Sequence, residues 1–166
     1  MTDEDVLLWV LNGTPVVDGR HTDRLADPAA ARTALAAAGG TGTVAEVAAV
    51  RDARDRLQAV VRGERPPGSL APLLDGVHQY PELDDGLHWR LAAPPDRLLA
   101  VRVTLAWARL REEHPGRLRP CANAECRLFL VDHSRAGTAR WCSMASCGNR
   151  MKARRHQSRH GRPPSA

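Results

Sequence analysis

The chain has 166 residues, is 43% hydrophobic but only 4% aromatic, and carries a formal net charge of +5. That length holds one ordinary domain, or a modest domain with a small satellite, and an apolar set dominated by Ala and Leu favours helices over sheets. The start is acidic, and the apolar run from Val6 to Leu11 is too short for a signal peptide or a membrane span. A cytoplasmic protein with no membrane contact is therefore expected.

The first element is a short buried helix over residues 4–11, broken by Asn12-Gly13-Thr14-Pro15. Val16 to Arg20 predicts a small hairpin on the Asp18-Gly19 turn. Asp27 as N-cap and Pro28 at the first helical position open a helix that ends at Gly39-Gly40. Thr43 and Glu46 have capping-box spacing and start an amphipathic helix that runs to about Arg62. Ser69 to Leu74 predicts one more turn or two. His78–Tyr80 and Leu87–Leu91 predict a hairpin with a loose loop. Pro94-Pro95-Asp96 opens a second long helix, which ends near His114-Pro115-Gly116. Asn12 and Thr14 are expected in a capping turn, and Trp89 as a core indole. The histidines of residues 1–116 are scattered, and no nucleophile elbow, phosphate loop or dinucleotide fingerprint occurs, so no enzyme is expected.

Charge divides the chain. Residues 1–116 hold thirteen Arg or Lys against seventeen acids, a balance of −4; residues 117–160 hold ten against two, a balance of +8. The second segment also holds all four cysteines, Cys121, Cys126, Cys142 and Cys147, spaced C-x4-C, fifteen residues, C-x4-C. Two thiol pairs across a hairpin-sized insert make a tetrahedral metal site, with one zinc ion as its default occupant. Four thiolates leave no open coordination position, so the zinc is structural. Two disulfides, four unrelated buried cysteines or an iron–sulfur cluster are the competing readings. Cys121 to Cys126 closes a knuckle, and Leu128–Val131 reads as a strand that turns back through Ala139-Arg140-Trp141. Ser143 then caps a helix carrying Cys147 in its early turns. The fold class is therefore mainly α, a helical N-terminal domain with one or two short β-hairpins plus a small treble-clef-like zinc finger. Phe129, Val131, Trp141, Met144 and Met151 are the expected core of that finger, and Gly148 is expected to let the helix approach the knuckle.

Past the last sulfur the helix carries Arg150, Lys152, Arg154, Arg155 and Arg159, with Arg135 and Arg140 on the preceding turn. This is the electrostatic footprint of a polyanion-binding surface. Asn149 is expected either to meet a base or phosphate of nucleic acid, or to hydrogen-bond the thiolates or loop carbonyls.

The stretches Arg119-Pro-Cys-Ala-Asn-Ala-Glu-Cys126, Leu130-Val-Asp-His-Ser-Arg135, Arg140-Trp-Cys-Ser-Met144 and Cys147-Gly-Asn-Arg150 resemble the CGNR zinc-finger family. Residues 5–113 more loosely resemble the helical ABATE domain that usually precedes this finger. The resemblance implies a bacterial transcription regulator whose finger binds DNA. The expected organisation is a helical ABATE-like sensory or scaffolding domain over 1–116, the finger with its basic helix over 117–160, and a disordered tail over 161–166. Double-stranded DNA is the expected partner, with RNA or an acidic protein as the alternatives. A small-molecule effector of the first domain and a homodimer are both compatible with the sequence, which specifies neither.

Overall fold

The computed structural model describes residues 1–160, with side chains described through Ser158; the tail expected over 161–166 lies outside the described residues. Helix α1, Asp3–Leu11, begins at a reciprocal capping box in which the Asp5 N–H donates to the Thr2 hydroxyl at 3.1 Å and the Thr2 N–H donates to the Asp5 carboxylate at 2.8 Å. Strands β1, Val16–Val17, and β2, Arg20–His21, pair across Asp18 and Gly19, both at positive φ, the turn that an Asp-Gly pair supplies. Helix α2, Pro28–Ala37, is capped by the Asp27 carboxylate. Helices α3, Val44–Val61, and α4, Pro95–Glu113, form the central pair on which α1 and α2 pack, with a 3-10 helix at Pro67–Leu74 against both. Val50, Ala53 and Leu57 of α3 and Leu99, Val103, Ala106 and Leu110 of α4 recur at three- and four-residue spacing and are buried with Leu7, Leu11 and Leu35 in one core.

The capping box expected at α3 forms by half. The Glu46 N–H donates to the Thr43 hydroxyl at 3.1 Å, but the Glu46 carboxylate turns under the loop and accepts from the Gly42 N–H at 2.8 Å, fully buried. Gly40 makes room for it, since a Cβ there would overlap the carboxylate.

Strands β3, His78–Leu83, and β4, Leu87–Ala92, form the predicted hairpin, pairing Pro81 with Trp89 and Leu83 with Leu87. Trp89 departs from expectation. It is 61% exposed, not a core indole, because the hairpin stands off the helices and its alternating side chains have solvent on both sides.

The last third opens with β5, Leu118–Pro120, which pairs antiparallel with β6, Phe129–Val131. Phe129 does not serve a separate finger core. At 2% exposure it belongs to the core built by the helices. Asn12, at the C-cap of α1, holds it there from 117 residues away: its side-chain amide donates to the Phe129 carbonyl at 3.2 Å and accepts from the Phe129 N–H at 2.7 Å. The Arg62 guanidinium lies over the Phe129 ring, 4.6 Å from its centroid, and donates to the Arg127 carbonyl at 3.1 Å. Thr14 accepts from Gln58, whose amide also donates to the Leu11 carbonyl. Phe129→Ala should therefore cost about 3–5 kcal/mol in urea unfolding followed by helical circular dichroism. Trp89→Ala should stay within about 0.5 kcal/mol of the parent in the same measurement.

Candidate metal centre and cationic helix

Each pair of cysteines is delivered by a different device. Strands β5 and β6 clamp the knuckle, so that Cys121 follows directly on β5, and the Cys126 N–H donates to the Asn123 carbonyl at 2.8 Å to close the turn. Cys142 and Cys147 flank the start of the terminal helix. There Ser143 is the N-cap, accepting from the Ser146 N–H at 3.4 Å, and a single π-helical turn, Met144–Gly148, leads into helix α5, Asn149–His160. The Gly148 N–H donates to the Ser143 carbonyl at 3.0 Å, five residues back.

The hairpin differs from the one expected. Leu128–Val131 does not pair with Ala139–Trp141; β6 pairs with Leu118–Pro120, on the other side of the knuckle. The segment between is organised by Asp132, whose buried carboxylate accepts from the Ser134 and Ala139 N–H groups, each at 2.9 Å, and from Arg119 at 2.7 Å. A short polar residue that caps its own loop breaks the strand there. Hydrogen bonding from Ser134, then the Ala139 N–H and the Arg119 charge, holds the Asp132 carboxyl below its ordinary value. The 139–141 segment does return to the metal site, through the Ala122 N–H donating to the Arg140 carbonyl at 2.8 Å.

The four Sγ atoms lie within 4.8 Å of one another, with Cys126–Cys142 and Cys142–Cys147 both at 3.7 Å, and all four cysteines are free. Disulfide sulfurs would be about 2.05 Å apart. Sulfurs 2.3 Å from a central zinc form a tetrahedron of edge about 3.8 Å, so the cluster fits one zinc ion with all four thiolates as ligands. The Asn123 amide, 1% exposed, points at the site and lies 3.5 Å from the Cys147 sulfur, as does the Cys142 N–H from that of Cys121.

The thiols are not equivalent without metal. Burial pushes Cys126 up to about 11 and raises Cys142 further, and at Cys142 the neighbouring sulfurs add to the effect. At Cys147 burial also raises, but hydrogen bonds from Asn123 and the other thiols outweigh it and hold the group below its ordinary value. Zinc must therefore displace protons from the raised thiols at neutral pH.

The structure rearranges several expected roles. The Asn149 amide donates to the Ala145 carbonyl of the π turn at 3.4 Å, and the side-chain amide within reach of a sulfur is that of Asn123. The signal for Asn123 was a short amide in the knuckle, where its side-chain oxygen also accepts from the Glu125 N–H at 3.3 Å, an Asx turn. A Cβ at Gly148 would meet the Met144 sulfur and the Trp141 ring, at 2.8 and 3.4 Å, rather than the knuckle. Met144 is 54% exposed and not core, because the π turn shifts it off the face that regular helical spacing would give.

Among the cations, Arg150, Lys152 and Arg155 are exposed on α5 and Arg135 on the 132–139 loop, while exposed Arg140 lies over the Trp141 ring at 5.4 Å. Arg154 pairs with Glu125 of the knuckle at 2.6 Å, an interaction that, with the Arg150 charge behind it, holds the Glu125 carboxyl below its ordinary value. Arg159 lies in α5 with its side chain outside the described residues. A cleft of about 730 Å³ separates β1–β2 from the knuckle and the start of α5, lined among others by Asp18, His21, Glu125, Arg127 and Arg150. No described helix is long and apolar enough to cross a membrane.

Titration with chelator competition should give one zinc per chain, with binding lost on replacing any of the four cysteines by serine. Affinity should weaken as pH falls, by about tenfold per pH unit for each proton displaced, because protons compete for thiols whose affinity for them burial has raised. Asn123→Ala should weaken zinc binding by about tenfold or more with the ligands intact.

Comparison with curated proteins gives no match. A family model described as the CGNR zinc finger matches residues 117–160, a span that holds the four cysteines, both finger strands and helix α5. Residues 117–160 of this chain are a CGNR zinc finger with a four-cysteine site for a single zinc ion.

Proposed function

We propose that the protein is a cytoplasmic DNA-binding transcription regulator, in which the zinc holds the finger folded and α5 presents its cations to DNA phosphates. The N-terminal helices serve as a sensory or scaffolding unit. The observation that carries this reading is the composition of α5 beyond Asn149: no acid occurs in it, and Arg150, Lys152 and Arg155 are exposed. A helix that only kept the protein in solution would mix signs, as α3 does with Asp52, Asp55 and their arginines. The tetrahedral thiolate set has no position left for a substrate, so the zinc acts on structure rather than as a Lewis acid, and we read the chain as a binding protein and not an enzyme.

The same cations suit RNA or an acidic protein surface, so the test compares all three. Full-length zinc-loaded protein is titrated against a mixed-sequence DNA duplex, a single-stranded RNA and polyglutamate over a range of salt concentrations. Binding to duplex should be strongest, with a log–log salt slope of roughly −2 to −4, about −0.9 for each phosphate contact. Chelation of zinc should abolish it. Polyglutamate binding without duplex binding at low salt would replace this reading with a protein adaptor, and preference for the single strand would replace it with an RNA-binding role.

A further inference from the structure

The acid at the knuckle sorts the cations of α5 into two sets. At about 100° per residue, Arg150 and Arg154 share one face of the helix, while Lys152 and Arg155 lie on the opposite side. The first face turns toward the knuckle: Arg154 pairs with Glu125 at 2.6 Å, and Arg150 lines the cleft that also holds Glu125 and Asp18. The Asp18 and Glu125 carboxylates on that side offset the charge of Arg127 and Arg150, which line the same cleft. Neither Lys152 nor Arg155 has an acid within ion-pair distance among the described residues, and both are exposed. Helix α5 packs mainly on the π turn that precedes it, and past Met151 the Glu125–Arg154 pair ties it to the knuckle.

We infer that polyanion meets α5 on the Lys152–Arg155 face, and that Arg154 is a positioning residue, anchored by Glu125, that sets the angle of the helix rather than touching phosphate. This rests on the proposed DNA-binding reading and sharpens it, since a cationic helix could otherwise be approached from any side. Glu125 then has two effects. It fixes the arm on which the contacts are carried, and it offsets the cationic charge on the cleft side.

The test uses the full-length zinc-loaded protein, a mixed-sequence DNA duplex and anisotropy read over a salt series, with zinc content measured for each variant. Lys152→Ala and Arg155→Ala should each make the log–log salt slope shallower by about 0.9. Arg154→Ala should leave the slope unchanged and weaken binding about two- to fivefold at every salt concentration, the size expected of losing an exposed ion pair. Exchanging the partners, Glu125→Arg with Arg154→Glu, keeps the net charge and should restore the wild-type affinity and slope. A residue that touches phosphate cannot be rescued in this way. The inference is overturned if Arg154→Ala flattens the slope as Lys152→Ala does, or if the exchanged pair binds no better than Arg154→Ala. Wild-type protein that fails to bind duplex at low salt overturns the DNA-binding reading itself, an outcome distinct from either of these.

Discussion

The placement of Phe129 governs how the rest of this chain holds together. The residue stands in a strand of the finger, three positions past a zinc ligand, yet its ring is packed among the helices. Full burial of such a ring is worth on the order of 2–3 kcal/mol before packing effects are counted. Burying it there also takes its backbone N–H and carbonyl out of water, and Asn12 answers both with one amide. The clamp is specific in a way that the apolar contact alone is not: a one-residue slip of β6 would present the amide with the wrong backbone groups and turn the ring to the opposite face of the hairpin.

Electrostatics then act on two scales. Locally, buried or half-buried charges are paired closely: in the finger Asp132 with Arg119 and two backbone N–H groups, and in the helical part Arg54 of α3 with Asp23 at 2.6 Å. These make local geometry, the first turning the chain out of β6 and the second fastening the loop before α2. On the larger scale the chain separates its charge, with a mildly acidic helical part and a strongly cationic finger. Four thiolates and a zinc ion would together carry about −2, so the metal site offsets part of the cationic field where it is densest. Half of the ten cations of residues 117–160 (Arg150, Lys152, Arg154, Arg155 and Arg159) lie in α5.

Much of this was legible in the sequence because it is local. The caps at Thr43 and Asp27, the Asp18-Gly19 turn and the termini of α3 and α4 are decided by neighbours within four residues. The four cysteines are legible for a different reason: thiol spacing is constrained by the size of the ion they surround. The misreadings share a cause. Trp89 carries no mark in its own segment that its hairpin stands clear of the helices. The partner of β6 could lie on either side of the knuckle, and the deciding residue is Asp132, whose burial is a tertiary fact. Asn149 flanks the last cysteine in sequence, whereas Asn123 reaches a sulfur 24 residues away, a contact that only the folded knuckle creates.

The sharing of Phe129 also changes what a boundary between residues 116 and 117 means. The break is clear in composition and charge, but the cooperative unit runs across it. Zinc occupancy and the integrity of the helical core are therefore thermodynamically linked. A metal that stabilises β6 also stabilises the cavity that receives its ring, and a ligand that tightened α1 against α3 would, by the same linkage, raise the affinity of the thiols for their ion. The two parts are joined by the Phe129 ring together with the Asn12 amide and the Arg62 guanidinium that hold it.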